Sequence, residues 1–236
     1  MTKKERIKAA VSGQTPDQLP YSLWTHMPGI DLDPVLLAEK TYEFYKTYDV
    51  DFIKTMNNGM YAIEDFGCEI DYSEVTKGGV AKVVKTPVHK PEDWLSLKVC
   101  PVNEGSLHRE LTSLKLLLNK VKSEDVPVLF TVFSPVTTAD KLSGKQMLSY
   151  IRNGYGEQVK KALEVITETT MAVAAEAIRL GADGIFFASQ MSSYDSMTVE
   201  EYAEYGKPYD LKVLEAAETD GSTRFMPTET ILCLNF

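Results

Sequence analysis

The sequence predicts an α/β fold of parallel strands with helices packed over them. Three observations predict it. Strand-like apolar runs at residues 19–24, 51–56, 127–133 and 183–188 alternate with stretches of helical periodicity. Each run feeds a helix, as strand–helix–strand crossovers require. Four such units are present, whereas a closed barrel of this kind needs about eight strands and typically about 250 residues. The 236-residue chain is therefore expected to form either an open sheet or the front part of a barrel.

The elements follow in order. Residues 2–11 read as a short helix with Ile7, Ala10 and Val11 on one face, stopped by Gly13. A turn at Thr15-Pro16-Asp17 leads into the first strand. Asp33 can cap the next helix, and Pro34 suits its first position. Leu37, Thr41, Phe44, Tyr45 and Tyr48 recur at helical spacing and should face the sheet. The second strand follows at 51–56.

Residues 58–126 interrupt the alternation as an insertion beside the main sheet. Gly78-Gly79 lies between two β-rich runs in 69–88, the pattern of a hairpin. Pro91-Glu92-Asp93-Trp94 begins a short helix, and Leu107, Leu111, Leu114, Leu118 and Val121 mark a longer one.

The third strand, 127–133, precedes a broken helical stretch at 145–153. A strong helix then runs from about 157 to 180, with Val159, Leu163, Ile166, Val173, Ala177 and Ile178 as its apolar stripe and Gly181 as its stop. The fourth strand follows at once. Thr198 and Glu201 form a capping box for a helix reaching about Ala217. After Gly221 the rhythm fails: a short strand at 230–234 is the one further element expected. The division is one partial barrel domain over 1–221 and an anomalous tail over 222–236.

Bulk properties narrow the function. With 34 acidic against 25 basic residues the net charge is −9, so phosphate backbones and anionic membranes are repelled and a nucleic-acid role is not expected. No apolar run approaches the roughly 18 residues of a membrane span. The N-terminus has charges but no apolar core of a secretory signal. Three distant cysteines fit free thiols in a reducing cytoplasm better than a disulfide framework.

Several segments in order carry a resemblance: the strand and helix over 19–49, VDFIKTMNN (50–58), GCEIDY (67–72), PVLFTVFSPVTTADKLSG (127–144), GADGIFFASQMSS (181–193), and a T-x-E-E-Y helix start at 198. Taken together they resemble the uroporphyrinogen decarboxylase superfamily nearly throughout, to about Gly221. That resemblance implies a TIM-type (β/α)8 barrel, here present as roughly its N-terminal two-thirds. It implies one of two chemistries. One is cofactor-free decarboxylation of uroporphyrinogen, a lyase step of porphyrin biosynthesis. The other is methyl transfer between a corrinoid cobalt and a thiol such as coenzyme M, with zinc activating the thiol.

The decarboxylases carry R-Q-A-G-R after their first strand, where guanidinium forks bind substrate carboxylates. The aligned stretch here is Thr25-His26-Met27-Pro28-Gly29, without arginine. Their aspartate at the end of the second strand aligns with Asn58, which supplies no negative charge for a cationic intermediate. Their tyrosine after the third strand falls near Asp140 or Lys141. Their serine after the fourth is kept as Ser189. GCEIDY looks more like the methyltransferases. The resemblance thus favours a corrinoid-linked methyltransferase-like activity over decarboxylation, with an inactive truncated product as a third reading. The methyltransferases' zinc ligands, a histidine and two cysteines, sit in their C-terminal half. No metal site is therefore expected in this chain, and zinc belongs to a full-length parent.

Candidate catalytic residues are His26, Asn58, Asp140 and Ser189. Asn57, Thr137 and Gln190 are candidates for substrate binding. All lie at the C-terminal ends of predicted strands, where barrel active sites gather. His26 can act as a general acid or a ligand contact, or be a hydrogen-bonded structural histidine. Asp140 can act as acid or base, or cap the following helix. The residues after the fourth strand can donate to an anion or simply form a turn. Lys54 is expected at an interface or in solvent, and Trp24, Phe133 and Phe187 in the core. His89 and His108 are expected in solvent, and Cys68 and Cys100 as buried thiols. The implied partners are a small molecule, tetrapyrrole or methyl donor, and a corrinoid protein. An unclosed half-barrel exposes two sheet edges, so the fragment should be unstable alone or pair with a second copy as a homodimer.

Overall fold

The computed structural model describes residues 1–218. Helix α1 (Lys3–Val11) starts at a reciprocal cap: Thr2 Oγ1 accepts the Glu5 amide while the Glu5 carboxylate accepts the Thr2 amide. Helix α2 (Pro34–Tyr48) starts where Asp33 Oδ1 accepts the amides of Val35 at 2.8 Å and Leu36 at 3.1 Å. Leu37, Thr41 and Tyr45 of α2 are buried at four-residue spacing. Phe44 and Tyr48 fall beside that stripe, and their rings stack on each other at 4.5 Å rather than on the sheet.

Strand β1 (Ile53–Lys54) and helix α3 (Tyr61–Glu64) follow. Strands β2 (Glu69–Asp71) and β3 (Lys82–Lys85) pair antiparallel as a hairpin outside the main sheet, with Gly78 at φ +85° in the turn between them. Pro91–Ser96 is a 3-10 turn, and α4 (Gly105–Val121) completes the insertion. Then come β4 (Val128–Phe133), α5 (Pro135–Leu142), α6 (Met147–Tyr150), a π turn over Ile151–Tyr155, and α7 (Gly156–Leu180). Gly181 ends α7 at φ +111°, a conformation glycine adopts without penalty. Strand β5 (Gly184–Ala188), α8 (Val199–Tyr205) and α9 (Lys207–Ala216) complete the described chain.

β1, β4 and β5 form a parallel sheet in the order β1–β4–β5, with Lys54 opposite Leu129 and Leu129 opposite Gly184. Side chains alternate between its faces. Ile53, Val128, Phe130, Val132, Ile185 and Phe187 enter the main core with Leu107, Leu111 and Leu114 of α4, Val173 and Ala177 of α7 and Val213 of α9. A second core gathers Trp94, Leu142, Met147, Leu163 and Ile166. The α/β class with a parallel sheet is as the sequence predicts.

Several expectations are corrected. Residues 19–24 form no strand, although they lie beside the start of β1. The Asp51 amide donates to the Tyr21 carbonyl at 2.8 Å, but the Tyr21 amide turns to the Asp51 carboxylate and the Ser22 hydroxyl takes the Phe52 carbonyl. Side chains thus occupy the groups a ladder needs. Trp24 is half exposed rather than core, and Phe133 is only partly buried. Lys54, expected at an interface or in solvent, is buried. On α1 the buried positions are Ile7 and Ala9, while Val11 is exposed. The helix begun at Thr198 does not run through to Ala217: it breaks at Gly206 into α8 and α9, because Pro208 has no amide to donate and its ring would meet the Glu204 carbonyl. The expected strand at 230–234 and the tail beyond Gly221 lie outside the described residues.

Candidate active site

The C-terminal ends of β4 and β5 are tied together by the Ser134 amide, which donates to the Ala188 carbonyl at 3.1 Å, and by a hydroxyl. Ser134 caps α5, accepting the Thr137 amide at 3.2 Å and donating to Thr137 Oγ1 at 3.0 Å. Thr137 Oγ1 in turn accepts the Gln190 amide at 2.9 Å. Beside Gln190, the buried Ser189 donates to Asp210 Oδ2 at 3.3 Å, and Tyr202 OH reaches the same oxygen at 2.8 Å. Burial pushes the Asp210 carboxyl up to about 7 despite these bonds, and its Oδ1 has no hydrogen-bond partner. The structure therefore brings together Thr137, Ser189 and Gln190 and adds Asp210 and Tyr202.

The end of β1 carries a second network. Thr55 donates to Asn57 Oδ1, and its oxygen accepts the Thr131 amide from β4 at 2.9 Å. Asn57 lines a small cavity of about 10 Å³ with Thr41, Glu110 and Ser113, on the α2–α4 side of the strand. Asn58 Oδ1 accepts the Met60 amide at 2.8 Å and Tyr72 OH at 3.2 Å. The other side of the Asn58 amide hydrogen-bonds the buried Asp31, whose carboxyl burial nevertheless pushes upward. The Tyr72 hydroxyl, whose one proton is shared with Asn58, also lies 3.1 Å from Glu64, which pairs with Arg109 at 2.9 Å, and Arg109 Nε holds Glu110 at 3.1 Å. Glu110 is 1% exposed, its Oε2 is unpartnered, and burial outweighs Arg109 to push its carboxyl up to about 8. Three carboxyls, Asp31, Glu64 and Glu110, thus gather around one guanidinium at this rim.

The remaining candidates sit apart. His26 is exposed, edge-on to Trp24 at 5.1 Å, close enough to Asp31 to favour its charged form. Asp140 turns away from the strands and accepts the Met147 amide at the start of α6. Its neighbour Lys141 faces the rim instead, donating to the Gly59 carbonyl at 3.2 Å with its ammonium 4.2 Å from the Phe133 ring centre; burial pulls its amine down to about 8. Cys68 and Cys100 are buried free thiols pushed up to about 11, far from the thiolate form. Among the described residues no three His, Cys, Asp or Glu side chains group as a metal site. No described helix is long and apolar enough to cross a membrane.

Sequence reasoning missed Asp31, Glu64, Arg109, Glu110 and Asp210. For Glu110 a signal existed: it stands three residues after Leu107 and four before Leu114, on the apolar stripe of α4, where a carboxylate is out of place. Asp31 and Glu64 had none, because long loops separate them from their partners.

A sequence model of the family described as uroporphyrinogen decarboxylase (URO-D) matches residues 2–230. The methylcobamide:CoM methyltransferase MtbA of Methanosarcina acetivorans is 24% identical over 228 residues, covering 91% of this chain and 66% of that protein. The methylcobamide:CoM methyltransferase MtaA of Methanosarcina barkeri is 24% identical over 218 residues, covering 86% and 63%. The chain thus spans just under two thirds of the length of these curated relatives. A solved methyltransferase from Methanosarcina mazei superposes with a TM-score of 0.79 at 23% identity, over 95% of this chain and 68% of that one. At that identity the superposition speaks for the fold alone.

Proposed function

Because the chain belongs to the uroporphyrinogen decarboxylase family, we propose that it serves methyl transfer between a corrinoid cobalt and a small thiol, rather than decarboxylation of a porphyrinogen. The names of its relatives support this reading, and one observation of the chain itself carries it. All four described arginines are already held by carboxylates: Arg6 by Asp17 and Asp51, Arg109 by Glu64 and Glu110, Arg152 by Glu201, and Arg179 by Glu176. A polycarboxylate macrocycle needs free guanidinium forks. Recruiting Arg109 would take the cation from Glu64 and a hydrogen-bond donor from the buried Glu110, a loss on the order of 2 kcal/mol.

In this reading the sheet is part of a TIM-type (β/α)8 barrel, and substrate sits over the ends of β1, β4 and β5. Ser189 and the Gln190 side chain bind it, with Thr137 fixing the loop that presents them. Asn58, held by Asp31 and Tyr72, shapes the rim of the pocket, and Asn57 supports it from behind. His26 is an exposed proton carrier at the mouth. Asp140 acts by positioning α6. Zinc, when bound, activates a thiol as a nucleophile by stabilising its thiolate. The described residues do not supply a site for it, so zinc ligation is proposed of the full-length protein. A corrinoid protein and a second copy of the chain are the partners this reading expects.

The test is to incubate the full-length protein with methylcobalamin and 2-mercaptoethanesulfonate in zinc-containing buffer and follow the cobalamin spectrum. Thiol-dependent demethylation is expected, with no carbon dioxide released from uroporphyrinogen. Carbon dioxide release at an enzymatic rate overturns the reading.

A further inference from the structure

Among the described residues, the sheet face turned away from the helices holds a cation without a hydrogen-bond acceptor. Lys54 projects from β1 onto this face, opposite Leu129. It is 7% exposed, and it makes no hydrogen bond or ion pair among the described residues. Its ammonium lies 4.0 Å from the centre of the Trp24 ring and 4.8 Å from that of Phe186. The strand residues sharing the face, among them Leu129, Thr131, Phe133 and Phe186, include no carboxylate. Lys141, the other lysine at this sheet, has at least a carbonyl to donate to.

An ammonium carries three donors and is costly to bury without an acceptor. Aromatic faces attract its charge, but they satisfy its N–H groups poorly. A bound anion supplies what is missing. The two rings then offer an apolar floor for whatever carbon body the anion carries, and Trp24 is itself half exposed. A lone cation matches a singly charged acid group. We propose that Lys54 is the recognition point for the sulfonate or carboxylate of a small organic acid, whose carbon body rests on Trp24 and Phe186. This assigns a binding role to a residue that the pocket at the strand ends does not use.

Trp24 touches the site, so its fluorescence reports occupancy, while Trp94 is buried in the second core as a constant background. The full chain is titrated with ethanesulfonate, propionate and the neutral ethyl methyl sulfone. A saturable change is expected with the two anions and none with the sulfone. Lys54→Met, close in shape, should weaken the response at least tenfold, and Lys54→Arg should keep it within about threefold. Absence of a saturable response in the parent protein, or an undiminished one in Lys54→Met, overturns the proposal. Should Lys54→Met fail to fold by circular dichroism, acetic anhydride labelling of the parent protein decides. Ethanesulfonate should protect Lys54 several-fold, and equal labelling with and without it refutes the assignment. Neither measurement needs turnover, so failure here and failure of the methyl-transfer reading are separate events.

Discussion

Tyr202 and Asp210 meet across the break at Gly206. The phenol of α8 donates to the buried carboxylate of α9 at 2.8 Å, on the same oxygen that holds Ser189. The break is what allows this, since two residues eight apart on an unbroken helix are separated by about 12 Å along its axis. Tyr202→Phe removes a hydrogen bond to a charged acceptor and should cost about 1–2 kcal/mol at pH 8. The loss should shrink at pH 5, where Asp210 is protonated. Urea denaturation at the two pH values measures both.

Stability should fall as pH rises from 5 to 8. Asp210 titrates near 3.8 when unfolded and about 7 when folded, and Glu110 near 4.5 and about 8. In each case the folded protein holds a proton that the unfolded chain has already released. Raising the pH therefore favours unfolding until the folded groups have also ionised. The ion-paired carboxylates with depressed values, such as Glu124 and Glu201, are charged in both states over this window and add no slope. Asp210→Asn should flatten the decline, and a slope identical to the parent protein's would contradict the buried, proton-holding carboxyl.

Arg109→Met should be far more damaging than the loss of an exposed ion pair. It takes the cation from Glu64 and a hydrogen-bond donor from the almost fully buried Glu110, with an expected loss of roughly 1–3 kcal/mol in chemical denaturation. Arg179→Met, which breaks an exposed pair with Glu176, should change stability by about 0.5 kcal/mol or less.

Thr137→Val keeps the shape of the side chain but removes the acceptor of the Gln190 amide. The loop after β5 should loosen locally. Hydrogen exchange at Gln190 should speed up at least tenfold, while amides in the middle of β4 stay protected. If methyl transfer is assayed in the same variant, a rise in KM is expected.

The thiols of Cys68 and Cys100 should be inert in the folded protein. Both are buried and held far above neutral pH. Thiol labelling at pH 8 followed by peptide mapping should leave both unmodified, and denaturant should expose both at once.

Local sequence determined much of this protein. Caps at Asp33 and Thr198, the glycine after α7, the hairpin around Gly78 and three of the four parallel strands stand where hydrophobic period and turn chemistry place them, because each depends on neighbours within a few residues. Tertiary structure decided the rest. Whether residues 19–24 joined a ladder depended on Asp51, thirty residues away from Tyr21. Whether Lys54 met solvent depended on where Trp24 and Phe186 came to lie. The charge network of Asp31, Glu64, Arg109 and Glu110 draws on a 3-10 turn, a short helix and a long one that only packing brings together. A pattern in sequence reports which face of an element is apolar; it does not report which polar groups from distant elements will share a buried space, and the chemistry of the site is set by that sharing.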